Sequence, residues 1–275
     1  MIRNDRSTPR VIAALLVSAI FLLPLVYMFS GSLRRPGLPP PRTPELVPAE
    51  PTIASYERAV ELVDLGRYAL NSALVVALVV PLTLLCASWA GFAMARLPQR
   101  GRALLVGVSL VSLMVPITAL LVPRFALFSW LGLTNTYVPL VATALIGTSP
   151  FYVLLFYWAF RRIPTELYEA CRLEGLSPLA TWWRVALPLA RPVTVAVAVL
   201  AGVVTWSNFL DPLIYLFDES LFTLPLGLKA LAQLDRQDFP VLLAGAVIAT
   251  APVVIAFLFV QRLFLQEGTR GWLGR

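Results

Sequence analysis

Apolar and polar positions fall along this chain in long blocks. Six apolar blocks, at 11–29, 69–95, 103–122, 138–160, 193–210 and 239–260, contain no Asp, Glu, Lys or Arg. Each runs to about 18–27 residues, against the roughly 20 helical residues needed to cross bilayer hydrocarbon. The pattern predicts an all-α integral membrane protein with six transmembrane helices. It divides the chain into a tail at 1–10, a first helix at 11–29, a loop at 30–68, a core at 69–264 and a tail at 265–275. The core holds the other five helices and a polar loop at 161–191.

The stretches between blocks carry their own signals. "RRPGLPPPRTPELVPAEPT" is proline-rich, and proline fixes φ and cannot sustain a helix ladder, so an extended connector is expected. "IASYERAVELVDLGRY" mixes apolar and charged residues at helical spacing, which predicts a short amphipathic helix. It reads either as a solvated connector or as a contact surface for a partner outside the membrane. "RFALFSWLGLTNTY" is too short to cross, and its Trp130 and Tyr137 suit a membrane interface. Kinks are expected at Pro24, Pro81, Pro116 and Pro150, with Pro116 and Pro150 the stronger candidates for lining a polar path.

Charge sets an orientation. With the N-terminus cytoplasmic, one side collects fourteen of the 22 basic residues, among them Arg96, Arg100 and Arg102 in the short loop "RLPQRGR". Short loops follow the positive-inside rule best, so both termini are expected in the cytoplasm. The first block has the Arg-rich flank and small residues ("SGS") of a signal peptide. Its apolar run exceeds the roughly 7–15 residues of a signal core, and it reads as a retained helix.

Composition agrees and narrows the chemistry. The chain has 275 residues, 59% hydrophobic and 13% charged, with a mean hydropathy of +0.79; soluble domains carry about 25% charged residues. The net charge of +7 follows membrane topology rather than nucleic-acid binding, because the basic residues sit between apolar blocks. Histidine is absent, which removes His-dependent triads and most zinc sites. Cys86 and Cys171 lie far apart and read as packing residues. The only lysine, Lys229, follows a leucine, so no Gly-Lys phosphate loop exists. An intramembrane enzyme lacks acid–base machinery here. An ion-driven carrier would be expected to place ionisable groups inside its spans, where this chain has none; Asp211 stands at the edge of the fifth.

One polar island remains, "EACRLEGLSPLATWWRVALP" at 169–188. Thr165 is a plausible N-cap with Glu166 in the first turn. Gly175 suits a left-handed helix end, and Ser177-Pro178 is a second start signal. Pro188 would then stop the second helix. A solvated loop needs no paired tryptophans, whereas protein contacts favour exposed aromatics.

The island's Glu-Ala-Cys, three residues, Gly175, nine residues and then "VALP" resembles the Glu-Ala-Ala…Gly…Ile-x-Leu-Pro pattern of permease subunits of binding-protein-dependent ABC importers. "RYALNSALVVAL", "GFAMARLPQRGR", "LGLTNTY", "RRIPTELYEA" and "WSNFLDPLIYL" look like further segments of the carbohydrate-uptake members, similar to the maltose permease MalG. Cys171 replaces alanine, and Ser207 stands where asparagine follows tryptophan. The resemblance implies a type I importer permease fold with a cytoplasmic coupling helix. It implies a heterodimer with a second permease, two copies of a cytosolic ATPase that hydrolyse ATP with Mg, and an extracytoplasmic binding protein. This chain would bind no cofactor or metal and catalyse nothing. The substrate would be a disaccharide or oligosaccharide, with glycerol-phosphate or another polyol as the alternative. The ATPase contact would fall on Glu169, Ala170, Cys171, Leu173, Glu174, Gly175, Ser177, Leu187 and Pro188. Beside it, polar and aromatic groups near kinks and span ends nominate a substrate path: Asn71, Ser72, Pro116, Trp206, Ser207, Asn208 and Asp211.

Overall fold

The computed structural model describes residues 8–41, 43, 45–146, 149–234 and 238–272, and within them the secondary structure is helical throughout. The elements are α1 (Thr8–Ser32), α2 (Ala54–Leu62), α3 (Leu65–Arg96), α4 (Gln99–Met114), α5 (Leu121–Trp130), α6 (Val138–Ile146), α7 (Pro150–Arg161), α8 (Thr165–Leu173), α9 (Pro178–Thr181), α10 (Leu187–Leu189), α11 (Arg191–Trp206), α12 (Leu210–Tyr215), α13 (Leu224–Leu234) and α14 (Phe239–Trp272). Among the basic residues used for orientation, Arg3, Arg6 and Arg275 lie outside the described residues, as does most of the 1–10 tail. The segment expected as a C-terminal tail continues α14 as helix to Trp272.

Among the described residues, four stretches are long and apolar enough to cross a membrane: Val11–Ser32, Leu65–Arg96, Val138–Arg161 and Phe239–Gln261. The other two expected spans depart from straight helices. The block at 103–122 is broken: Gln99–Met114 and Ile117–Trp130 meet at 85°. Val115 is extended (φ −75°, ψ 118°) because Pro116 crowds the helical region of the residue before it. The surface stretch expected after this block is therefore the far arm of the broken pair. The block at 193–210 begins earlier, at Arg191, and stops at Trp206. Pro24 and Pro81 sit inside α1 and α3, which continue through them, while Pro150 opens α7 at its first turn.

The chain forms two compact units. The first comprises Met1–Ala69 and Leu224–Pro252. Its proline-rich segment is not a free connector. Thr52 N–H donates to Leu33 O (2.7 Å) and Phe239 N–H to Leu38 O (3.2 Å), so the segment folds back on its own unit. The Ser55 hydroxyl donates to Arg34 O at 2.6 Å, and Ser32 shares a 2.6 Å hydrogen bond with Tyr56. The amphipathic helix appears as α2, anchored by buried Ser55 and Ala59.

The second unit comprises Leu70–Thr223 and Val253–Arg275. Its apolar core joins α3 (Ala87, Phe92, Met94) to α7 (Val153, Leu154, Phe156, Tyr157, Phe160) and takes in Tyr168, Trp182 and Ala186 from the polar island. Gly91 makes the approach possible. A Cβ there would lie 2.8 Å from Tyr157 N and 2.9 Å from Val153 O, so only glycine lets the two backbones meet.

Candidate functional site

The island folds as a helix, a tight turn and a second, bulged helix. α8 begins one residue earlier than the N-cap reading of Thr165 required. Pro164 occupies the extended cap position (φ −55°, ψ 140°), and Thr165 is already helical with no side-chain cap. At the other end Gly175 has φ +77°. Gly175 N–H donates to Arg172 O (3.1 Å) and Leu176 N–H to Cys171 O (2.9 Å), the paired bonds of a Schellman cap. Ser177 then caps α9, its Oγ accepting from Ala180 N–H at 3.2 Å.

Pro188 does not stop the second helix where it stands. The turn before it, Trp182–Ala186, is a π-turn in which Leu187 N–H reaches back to Trp182 O. Widening the turn there accommodates a ring that would clash with the carbonyl four residues earlier. The helix continues to Leu189, and the chain bends by 84° into α11.

Only Tyr168 and Cys171 of α8 are buried. The nominated contact residues Glu169, Ala170, Leu173, Glu174, Gly175 and Ser177 are exposed, Leu173 at 89%. Cys171 is not on that face. Its spacing of three from Tyr168 turns it into the core, in keeping with its reading as a packing residue. Leu187 is half-buried and Pro188 exposed. The tryptophan pair splits: Trp182 is buried, with its ring 5.7 Å from Trp89, and Trp183 faces out.

The buried side of α8 is fixed to α3 by Arg96, a residue the sequence marked only for orientation. The Arg96 guanidinium lies over the Tyr168 ring, 4.4 Å from its centroid, and the Tyr168 hydroxyl donates to Phe160 O at 3.2 Å. Burial pushes the Tyr168 phenol above its ordinary pKa of 10, with Arg96 partly offsetting the rise. Nothing in the local pattern of "MARLPQR" marks this role for Arg96.

A second feature of the same unit is an open cavity of about 1010 Å³. Of the nominated path residues, Ser72, Pro116, Ser207, Asn208 and Asp211 line it. Asn71 and Trp206 are not among the lining residues. The Asn71 side chain instead donates to Ser220 O and Phe222 O, both at 2.9 Å, and ties α3 to the chain after α12. Tyr152 and Phe209 supply the aromatic lining in place of Trp206.

The cavity also contains Arg124, on the far arm of the broken pair. Its Nη2 lies 3.3 Å from Asp211 Oδ1, with the side chains 20% and 15% exposed. Asn208 braces the carboxylate: Nδ2 donates to Asp211 Oδ2 (2.9 Å) and Oδ1 accepts from Asp211 N–H (3.2 Å). α5 and α12 are held together independently of this pair. Asn135, at φ +56°, donates its N–H to Tyr215 O (2.7 Å), while its Oδ1 accepts from Phe217 and Asp218 N–H (3.0 and 2.9 Å). Phe125 and Phe128 flank the Tyr215 ring at 6.2 and 5.6 Å. No group of three or more Cys, Asp or Glu able to hold a metal occurs among the described residues.

Apolar spanning helices, a cavity with a polar wall and an outward-facing helix–turn–helix between two spans define a membrane permease. Residues 84–267 match the model of the binding-protein-dependent transport system inner membrane component, and the chain belongs to that family. The arabinooligosaccharides permease AraQ of Halalkalibacterium halodurans is 36% identical over 73% of this chain and 71% of its own length. The diacetylchitobiose uptake permease NgcG of Streptomyces coelicolor is 30% identical over 98% and 90%. In fold, the chain is similar to a crystallised bacterial ABC transporter involved in import of the acidic polysaccharide alginate, with a TM-score of 0.75 at 22% identity over 96% of this chain and 99% of that one.

Proposed function

We propose that this chain is the permease subunit of an ATP-driven importer for a disaccharide or oligosaccharide, with α8 as the element that receives the ATPase stroke. The carrying observation is the division of α8 into two faces. One is locked into the unit's own core through Tyr168, Cys171 and Arg96; the other presents Leu173, Glu169 and Glu174 to a partner. A helix held that way moves as a lever when its outer face is pushed, and carries α3 and α7 with it.

In this reading a cytosolic ATPase pair binds and hydrolyses ATP with Mg, and this chain neither binds a cofactor nor catalyses a reaction. A second permease completes the pathway, and an extracytoplasmic binding protein delivers the sugar. Both termini and α8 face the cytoplasm, which the distribution of arginines supports. The sugar assignment draws on the relatives named for arabinooligosaccharides and diacetylchitobiose.

The test is reconstitution of the chain with a second permease, ATPase and binding protein in proteoliposomes. Uptake of arabinotriose or N,N′-diacetylchitobiose is expected to require ATP and to persist with an uncoupler present. Uptake that collapses with the ion gradient while ATP remains high would overturn the reading.

A further inference from the structure

Arg124 and Asp211 are the only charged side chains lining the cavity among the described residues, and they meet on its wall, 3.3 Å apart, from α5 and α12. Ionisable groups that line a cavity in a membrane protein pair with one another and mark the routes of substrates. A purely structural role as a lock between the two helices is already filled. The Phe125–Tyr215–Phe128 cluster joins the same two helices with no charge to desolvate, and Asn135 joins the chain that follows each of them.

The pair is also incomplete. Arg124 Nη2 is buried and has no hydrogen-bond acceptor, because its approach to Asp211 is close in distance but not aligned for a hydrogen bond. The Thr223 hydroxyl, on the same cavity wall, is buried and unpartnered too. Asp211 Oδ1 lies beside Arg124 without a hydrogen bond from it, Oδ2 accepts from Asn208, and each oxygen retains acceptor capacity. Buried donors with no acceptor are rare in folded proteins and call for an explanation.

We propose that Arg124, Asp211 and Asn208 form a hydroxyl-binding subsite for a neutral sugar. The proposal rests on the sugar-permease reading and adds to it the residues and the charge class. A hydroxyl can accept from the idle Arg124 N–H while donating to the Asp211 carboxylate, so one group completes both. A carboxylated or phosphorylated sugar would have to displace Asp211 from Arg124 and then face the freed carboxylate. Charge balance on the wall therefore selects uncharged ligands.

The experiment measures uptake by the complete reconstituted transporter. Its probes are arabinotriose, N,N′-diacetylchitobiose, their monodeoxy analogues and a digalacturonate. In the wild type, at least one monodeoxy analogue is expected to be carried about 10–100-fold less well than its parent, because a site built around a hydroxyl leaves polar groups unpaired without it. In Asp211→Asn and Arg124→Met that ratio is expected to fall to within about threefold. The binding protein is identical in every assay, so only a contact within the permease can change the ratio. If Arg124→Met does not assemble, Arg124→Lys keeps the charge but loses the forked donor, and the same collapse is expected. An unchanged ratio in assembled variants, or assembly lost in both Arg124 variants, would assign the pair to structure and overturn the subsite. Preferential uptake of digalacturonate would overturn the neutral class. Transport of none of the probes would overturn the sugar reading itself, and the subsite with it.

Discussion

The guanidinium of Arg96, the last residue of α3, covers the face of Tyr168 in α8 at 4.4 Å from the ring centroid. A spanning helix and the island helix are thereby joined by one stacked pair, backed by the Tyr168 hydrogen bond to Phe160 O. Removing the cation by Arg96→Gln is expected to lower stability by about 0.5–1 kcal/mol, the range for an exposed cation–π pair. Tyr168→Phe loses only the hydroxyl bond, at about 1 kcal/mol. Thermal unfolding of the purified chain checks both. The coupling account expects ATP consumed per sugar carried to rise in both variants, because the lever is looser.

The Gly175 turn gives a test separable from packing. A Cβ there meets nothing within 4 Å, so the cost of Gly175→Ala is the left-handed φ of +77° alone. That cost is about 1–2 kcal/mol, and Gly175→Asn should recover part of it, since asparagine tolerates this region. Calorimetry of the three proteins should rank them Gly, Asn, Ala. Equal stability of all three would remove the turn from the account.

Gly91 is expected to behave in the opposite way. Its Cβ would strike the α7 backbone at Tyr157 N and Val153 O, so Gly91→Ala must separate α3 from α7. Overpacking of this kind costs about 1–3 kcal/mol. Gly101, in α4 with nothing within 4 Å of its Cβ, is the control. Replacing it with alanine should be neutral or stabilising by up to about 1 kcal/mol, since alanine is the better helix former. Denaturation midpoints measured side by side distinguish the two glycines.

Of the two free cysteines, Cys171 reports on the faces of the island and Cys86 on α3. Cys171 is buried with Tyr168, whereas Cys86 is half-buried on α3. Neither is expected to react with a membrane-impermeant maleimide until Tyr168→Ala opens the core, when Cys171 should label. Labelling of Cys171 in the wild type at the rate of an exposed thiol would place it on the outer face instead.

What could be read from the sequence was what neighbours in sequence decide. Apolar block length located the spanning segments, and the Gly175 and Ser177 caps were legible because a cap is set within four residues. Proline was ambiguous. Pro24 and Pro81 are absorbed into continuous helices while Pro116 breaks one completely, with Val115 extended before it, although all three stand in similar apolar runs. Trp182 and Trp183 are identical neighbours, and only the core position of Ala186 and Tyr168 decides which is buried. Arg124 and Asn135 were passed over because their partners lie about eighty residues away, on α12 and the chain following it. Asn71 looked like a path residue because its type fits a sugar; its Nδ2 donates to the backbone at Ser220 and Phe222.

On the proposed function, the outer face of α8 docks on the ATPase. Leu173 tests it most directly, because at 89% exposure it contributes almost nothing to this chain's own packing. Leu173→Asp should leave the thermal stability of the isolated chain unchanged. In a pull-down with the ATPase, binding should weaken about 10-fold or more, the loss expected when an apolar side chain of this size no longer buries at an interface. Unchanged ATPase binding together with unchanged ATP-driven uptake would contradict the account.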